Sequence, residues 1–222
     1  MTSFGLITEG ITDQIVIENI LTGYFDNPDI DFRPFLPLRD ETDKNRIENY
    51  GGWTRVFEYC GSSKFQEAFQ FIDFIVVQID TDTSEEIGYD IPKLEDGKEL
   101  SVEQMVERVS EKLRNLIGTE FYDEYSERII FAISVHSLEC WLLPLFYTNN
   151  KKAKHINCLN TLNQALKKED FTIDANNKNP EYYESISRQY LKHRTLMSKY
   201  SDNPSLKIFV EEIEKRDIII AE

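Results

Sequence analysis

Short apolar runs recur along the first two thirds of the chain, and three of them have the length of a buried strand. These three runs are almost continuous in apolar residues and cover residues 4–8, 74–79 and 129–135. Uninterrupted apolar runs are typical of strands that are buried on both faces of a parallel sheet. A fourth run at 30–38 also predicts a strand, and its prolines Pro34 and Pro37 place it at an edge of the sheet.

The segments between these runs repeat apolar residues at helical spacing. Helices are predicted at about 13–25, 64–72, 101–117 and 137–147. Thr12 is a suitable N-cap for the first helix, and Ser101 with Gln104 forms a capping-box signal for the third. The remaining segments are predicted as a short strand at 53–59, a turn at Gly51-Gly52, and polar loops at 39–50 and 83–100.

Strands and helices therefore alternate over the first part of the chain. This order predicts an α/β fold with a mostly parallel sheet of about four strands and helices on both faces. The rest of the chain is polar and predicted to be helical, with helices at about 156–168, 180–195 and 204–216 and an Asn-rich loop at 174–179. We therefore expect an α/β domain at 1–150 and a helical C-terminal extension, packed on that domain, at 151–222.

The overall charge limits how the protein could meet nucleic acid. Its 222 residues carry a formal net charge of -15, with a pI of about 4.7. This balance argues against a protein that coats nucleic acid through bulk positive charge. It leaves a nuclease open, because a bound metal and local Lys or Arg residues can reverse the field at one site.

Cysteine usage and hydropathy indicate the compartment. The three cysteines are Cys60, Cys140 and Cys158, an odd number without regular spacing, which predicts free thiols in a reducing compartment. We find neither the pattern of a signal peptide nor an apolar run long enough to cross a membrane. We therefore expect a cytoplasmic protein without a membrane contact.

Acidic residues follow two of the predicted strands. Glu9 and Asp13 come after the first strand, on either side of a turn at Gly10, and Asp80 and Asp82 come after the strand at 74–79. The carboxyl ends of parallel strands meet at the crevice where open α/β sheets bind ligands. Clustered carboxylates repel one another, and a hard divalent cation such as Mg²⁺ relieves that repulsion. The pattern thus favours a metal site that acts on phosphate.

Each acidic motif also has a purely structural interpretation. Asp13 could complement the dipole of a helix capped by Thr12, with Glu9 exposed in a loop. The Asp residues at 80 and 82 could hydrogen-bond the backbone of a turn. Glu85 and Glu86 lie on the following loop, where we favour solvation over a role as ligands.

The two motifs together resemble the Toprim domain. The resemblance rests on Thr8-Glu9-Gly10-Ile11-Thr12-Asp13 after the first strand and on Ile79-Asp80-Thr81-Asp82 after a later strand. The spacing of Asp13, four residues after Glu9, is similar to the acidic pattern of OLD-type nucleases. The segment from Val135 to Leu143, with Glu139 and Trp141, resembles small stand-alone Toprim-like (RloB-like) proteins of bacterial defence loci.

The resemblance implies an enzyme, a nuclease that hydrolyses phosphodiester bonds of DNA or RNA with Mg²⁺ or Mn²⁺. It implies that Glu9, Asp80 and Asp82 are catalytic metal ligands and that Asp13 supports a second metal. It also implies that Glu139 is catalytic and faces the acidic crevice. It also implies an antiphage effector controlled by an ABC/SMC-like or AAA ATPase encoded nearby. The alternative is a catalytically weak scaffold or regulatory subunit that binds such an ATPase.

Several assignments stay open at this level. A nuclease of this kind needs a basic residue near the scissile phosphate. The densest basic cluster is formed by Lys192, His193 and Arg194, with Lys199 nearby, and Lys192, Arg194 and Lys199 are the candidate nucleic-acid contacts. Other options are Lys44, Arg46 and Arg55, and each of these cations is also interpretable as solvated surface charge. For Trp141 we favour a core position, and for His136 a structural role over proton transfer.

Overall fold

The strands of the computed structural model lie close to the predicted ones. The structure describes residues 2–39, 52–169 and 171–220. Its strands are β1 (Ser3–Ile7), β2 (Asp31–Leu36), β3 (Phe74–Asp80), β4 (Leu94–Glu95), β5 (Lys98–Glu99) and β6 (Ile129–Ser134). Four of them form a parallel sheet in the order β2-β1-β3-β6, so that β2, which contains Pro34, is an edge strand as predicted.

Helices cover both faces of this sheet. They are α1 (Ile11–Phe25), α2 (Gly52–Cys60), α3 (Ser63–Ala68), α4 (Val102–Ile117), α5 (Thr119–Tyr125), α6 (Glu139–Phe146), α7 (Cys158–Leu166), α8 (Pro180–Ser187), α9 (His193–Lys199) and α10 (Pro204–Glu214). The capping box of Ser101 and Gln104 is formed at the start of α4. The predicted α/β class, with a parallel sheet between helices, is confirmed.

The alternation of side chains along the strands divides the core in two. In β3, Val76 belongs to a cluster with α1, α6 and the C-terminal helices, whereas Val77 belongs to a cluster with α2 to α5. In β6, Ile130 belongs to the first of these clusters and Ile133 to the second. Burial on both faces explains why these strands are apolar throughout.

The C-terminal segment completes the first of these two clusters. Tyr183, Tyr190 and Phe209 are fully buried in it. Trp141 is fully buried as well, as we favoured, and its Nε1 donates to Ser205 Oγ at 2.8 Å. Gly23 of α1 packs against the backbone of this segment so closely that a Cβ there would lie 1.8 Å from the Tyr190 carbonyl oxygen.

Some local predictions were wrong. The segment predicted as a strand at 53–59 is helix α2, because Trp53, Val56, Phe57 and Cys60 lie on one buried helical face. Helix α1 begins at Ile11 after Gly10, so Thr12 is not its N-cap. The helix predicted at 180–195 is divided into α8, a 3-10 turn at Arg188–Leu191, and α9.

The loop predicted at 83–100 contains the β4–β5 hairpin, which the polar composition of that segment conceals. The expectation of free thiols was wrong for two of the three cysteines, because α7 packs on α6 and joins Cys158 to Cys140 in a disulfide. Cys60 is free and buried, as expected. The predicted loop at 39–50, the turn residue Gly51, and the candidate cations Lys44 and Arg46 fall almost entirely on residues 40–51, which lie outside the described residues.

Candidate functional site

The acidic residues of three chain segments meet at the carboxyl edge of the sheet. Glu9 follows β1, Asp80 is the last residue of β3, and Glu139 begins α6 just after β6. Because β1, β3 and β6 are neighbours and parallel, their carboxyl ends open on the same crevice. The strand order alone therefore brings these three residues to one end of the sheet.

Hydrogen bonds hold Glu9 against the end of β3. Glu9 Oε1 accepts a hydrogen bond from the backbone N–H of Asp80 at 2.6 Å, and the Glu9 N–H donates to Gln78 Oε1 at 3.3 Å. Gln78 in turn donates through Nε2 to Asp80 Oδ1 at 2.9 Å. Gln78 is fully buried and was the one polar residue in an apolar strand, which was the available signal for its role.

Asp13 is a buried carboxylate with an unused oxygen. It lies in the first turn of α1, is 5% exposed, and its Oδ1 has no hydrogen-bond partner. Burial raises its pKa to about 7, against the opposing charge of Lys178 and with the added repulsion of Glu139. A β-carbon at Gly10 would lie 3.1 Å from Asp13 Oδ2, so the glycine leaves this carboxylate room.

The pKa values of Glu9 and Asp80 also move upwards. Burial raises the pKa of Glu9 to about 8, with the charges of Asp13 and Asp82 adding to it and the Asp80 N–H opposing it. Burial, and then repulsion from Glu9 and Asp13, hold the pKa of Asp80 well above its ordinary value. These three carboxylates are therefore close enough to disfavour one another's charge.

Glu139 differs because it has a cationic partner. Although burial alone would raise its pKa, the charge of Lys178 and hydrogen bonds from Lys178, Tyr183 and Ser137 hold it below its ordinary value. Lys178 Nζ lies 2.8 Å from Glu139 Oε1, and the Tyr183 hydroxyl donates to the same oxygen. Glu139 is thus a buried, satisfied carboxylate that anchors an ammonium group in the crevice.

Lys178 is a basic residue of the crevice that the sequence analysis did not single out. It lies in the Asn-rich loop just before α8, and its pKa is raised because the attraction of Glu139, Asp13 and Asp80 outweighs burial. A cleft of about 370 Å³ opens here, the acid cleft, lined by Glu9, Gly10, Ile11, Thr12, Asp13, Gly52, Asp80, Lys178 and Pro180. Gly52 comes so near that a β-carbon there would lie 2.7 Å from Glu9 Cβ.

Asp82 lies at the rim of this crevice. Its side chain is exposed, while its backbone N–H donates to the His136 carbonyl at 2.9 Å and its own carbonyl accepts from Lys93 Nζ. Its carboxylate is nevertheless near enough to raise the pKa of Glu9. Asp80 and Asp82 therefore differ in burial, one inside the cleft and one at its edge.

The predicted basic cluster lies elsewhere. Lys192 and Arg194 are exposed and Lys199 is half-buried at the end of α9, and none of the three is among the described residues that line the acid cleft. Arg55 is a half-buried residue of α2, likewise outside that lining. The position of Lys178, far along the chain from the acids, has no local sequence signal.

The donor chemistry of the cleft suits a hard cation, but its geometry is not that of a preformed metal site. Asp13 Oδ1 is buried and unpaired, and carboxylate oxygens are the ligands that Mg²⁺ and Mn²⁺ prefer. Over residues 2–39, 52–169 and 171–220, no group of three or more His, Cys, Asp or Glu side chains is already placed to hold a metal. Lys178 Nζ provides the positive charge among these acids.

Comparison with known proteins adds no relative. No family model, no curated protein and no solved structure matches the chain. In the described part of the chain, no helix combines the length and the apolar character that a bilayer-spanning helix needs.

Proposed function

We propose that the protein is a metal-dependent nuclease of the Toprim type, which hydrolyses phosphodiester bonds of DNA or RNA. The observation that carries this proposal is the meeting of Glu9, Asp13 and Asp80 with Lys178 in one cleft at the carboxyl edge of a parallel sheet. Three acids with raised pKa values favour a divalent cation, and an adjacent ammonium group favours a phosphate. The order of the acidic motifs along the strands agrees with the resemblance to Toprim domains.

Each residue has a role in this proposal. Glu9, Asp13 and Asp80 would hold Mg²⁺ or Mn²⁺, which when bound neutralises phosphate oxygens and makes water a better nucleophile. Lys178 would bind a non-bridging oxygen of the scissile phosphate, and Glu139 is the positioning residue that holds Lys178 in place. Asp82, at the rim, would orient the incoming water or a second cation.

Control by an ATPase partner and a role in antiphage defence belong to the same proposal. Their support is the resemblance to small stand-alone Toprim-like proteins at Glu139 and Trp141. The ion pair of Lys178 and Glu139 ties the acid cleft to the C-terminal segment, so a partner that moves this segment would also change the cleft. Co-expression with the adjacent ATPase gene, if one is present, tests this part.

The experiment that tests the nuclease is a cleavage assay with supercoiled plasmid and with single-stranded RNA, in Mg²⁺, in Mn²⁺ and in EDTA. We expect cutting only with a metal, and a loss of at least about 100-fold in Glu9→Gln and in Asp80→Asn. The control is Glu120→Gln, which changes an exposed acid of α5 and should cut like the wild type. Equal cutting by all these proteins, or cutting in EDTA, contradicts the proposal.

A further inference from the structure

A second cleft lies beside the acid cleft, on the other side of the segment that carries Thr81 and Asp82. It measures about 220 Å³ and lies between the end of β6, helix α4, the β4–β5 hairpin and the segment before α7. We name it the ring cleft, and its walls are formed by Thr81, Lys93, Glu99, Leu100, Met105, Val135, His136, His155 and Ile156.

The walls of the ring cleft suit a flat, partly polar ring. Leu100, Met105 and Val135 supply a buried apolar surface, and Ile156 is half exposed at 49%. His136 and His155 are also in this lining, and imidazole is a ring type on which bases stack. Thr81, Lys93 and Glu99 add groups that can hydrogen-bond the polar edge of an occupant.

His136 is held in an uncommon backbone conformation at the border of the two clefts. Its φ is 70°, a left-handed value that costs free energy for a residue with a side chain. Its N–H donates to Thr81 Oγ1 at 2.7 Å, and its carbonyl accepts from the N–H groups of Thr81 and Asp82 at 3.0 and 2.9 Å. These bonds fix the wall of the ring cleft to the Asp82 rim of the acid cleft.

The two clefts share that rim electrostatically as well. After burial, the charge of Asp82 is among the influences that raise the pKa of Glu9, and it opposes the fall that burial causes in the pKa of His136. Asp82 is therefore near both residues. Asp80 lines the acid cleft and the next residue, Thr81, lines the ring cleft, so a phosphate bound at Asp80 lies beside the ring cleft.

Size and charge select the occupant. The ring cleft is smaller than the roughly 300–1,000 Å³ of pockets for drug-sized ligands, and so suits one ring system. A base inside a duplex is stacked and cannot enter such a cleft unless it leaves the stack. With a formal net charge of -15, the chain attracts a duplex only weakly through its bulk charge, so binding of one base in a local cleft suits it better.

We propose that the ring cleft binds one unpaired nucleobase of the substrate, adjacent to the phosphate in the acid cleft. The position of that phosphate rests on the proposed function. The substrate is accordingly single-stranded or locally unpaired nucleic acid, and the base contributes to where the chain is cut. Stacking on the histidine rings and apolar contact with Met105 provide the affinity.

The experiment uses a fluorescent single-stranded oligonucleotide, as DNA and as RNA, with the full chain in Mn²⁺. A matched series carries one abasic residue at each successive position. We expect one abasic position next to the cut to reduce cutting roughly tenfold, while distant positions leave it unchanged. The same sequence as a duplex should be cut more slowly than the single strand.

A substitution in the lining of the ring cleft, compared with one elsewhere on the surface, tests whether the base binds in this cleft. Ile156→Trp fills the half-exposed wall and should reduce cutting of the intact strand roughly tenfold while leaving the abasic strand little changed. The matched control is Ile219→Trp, at a position that is 83% exposed and is not part of the ring cleft lining. Circular dichroism should show both variants folded like the wild type.

The outcomes distinguish this inference from the proposed function. Metal-dependent cutting that no abasic position and no Ile156→Trp substitution affects overturns the ring cleft and leaves the nuclease standing. If the wild type does not cut at all, fluorescence anisotropy with the same oligonucleotides in Ca²⁺ decides. Binding that Ile156→Trp or an abasic residue weakens supports the ring cleft, whereas absent or unchanged binding overturns it.

Discussion

Glu139 and Asp80 are both buried carboxylates at the same edge of the sheet, yet their pKa values move in opposite directions. Asp80 is surrounded by other acids, and its pKa lies well above the ordinary value. Glu139 is 1% exposed but has Lys178 and Tyr183 as partners, and its pKa is lowered. Burial alone therefore does not determine the state of these acids; the partner does.

The difference also separates two uses of a buried acid. Glu139 connects the sheet to the C-terminal segment through Lys178, which is a contribution to folding. Glu9, Asp13 and Asp80 form no salt bridge with another described residue, and holding their charge costs free energy. A cation that bound them would release part of this cost, so the proposed function links the stability of the protein to metal binding.

The largest effect is expected when Lys178, the cationic partner of Glu139, is replaced. Lys178→Met leaves Glu139 buried and uncompensated, and we expect a loss of about 3 kcal/mol in the free energy of unfolding, below the upper range because the Lys178 side chain is 33% exposed. Urea denaturation measures it. Lys199→Met, which removes a lysine of α9 outside the acid cleft, should change stability by less than about 0.5 kcal/mol. Equal stability of both variants would show that the ion pair does not hold the segment.

The second effect is the pH dependence of the unpaired acids. The pKa of Glu9 rises from 4.5 unfolded to about 8 folded, and that of Asp13 from 3.8 to about 7. At a pH between the unfolded and the folded pKa of either acid, the folded protein holds a proton that the unfolded chain has released. The free energy of unfolding therefore falls as pH rises. Added separately, the two shifts would give a loss of about 5 kcal/mol between pH of about 5.5 and 8.5. Because the two acids interact and titrate together, we expect a smaller loss in EDTA, of about 2 kcal/mol.

Glutamine at position 9 provides the check on this slope. Glu9→Gln should flatten the decline measured by urea denaturation, because a neutral amide has no charge to lose or gain. Glu120→Gln, an exposed acid of α5, should keep the wild-type slope. The lowered pKa of Glu139 acts in the opposite sense, since its stabilisation is present above its unfolded pKa and disappears only as pH falls through the folded value.

A third and smaller effect concerns the hydrogen bond that Glu139 accepts from the Tyr183 hydroxyl. Tyr183→Phe removes one hydrogen bond to a buried carboxylate and should cost about 1.5 kcal/mol. Thermal unfolding checks the value. Tyr182→Phe is the neighbouring control, because Tyr182 stacks on Phe171 at the surface of α8 through a ring that phenylalanine retains. A Tyr183 variant as stable as this control would argue that Lys178 alone satisfies Glu139.

The smallest expected effect is the stabilisation of the protein when Mn²⁺ binds the acids that have no cationic partner. At a fixed Mn²⁺ concentration about five times the Kd at pH of about 8, we expect a stabilisation of about 1 kcal/mol at that pH. The same concentration should stabilise less at pH of about 6, because the acids must lose their protons to bind. Differential scanning fluorimetry measures the shift. The same titration with Asp80→Asn should show no stabilisation, and an undiminished shift there would place the metal elsewhere.

The sheet could be predicted because its strands are buried on both faces. The run from Phe74 to Ile79 is apolar for that reason, and Asp80 at its end marks the crevice. Helix α2 was predicted as a strand although Trp53, Val56, Phe57 and Cys60 repeat at helical spacing, a signal that was present and misinterpreted. Five aromatic and β-branched residues in the segment 53–59 favoured the wrong element.

The acids of the site were predictable, and the cation was not. Glu9 and Asp80 follow strands whose direction fixes where their side chains meet. Lys178 reaches them from a polar loop whose position depends on how α8 packs on α1, which no local pattern encodes. The Cys140–Cys158 bond was missed for the same reason, since it follows from the packing of α7 on α6.

A substitution at Gly23 would disturb the acid cleft from a distance. The backbone of the C-terminal segment passes so near α1 that even a methyl group at this position would overlap the Tyr190 carbonyl. Added bulk there would lift the segment that also carries Lys178, although neither the lysine nor any acid would have been altered. An inactivating substitution could therefore arise on the opposite end of α1 from Asp13, and a survey of the cleft alone would overlook it.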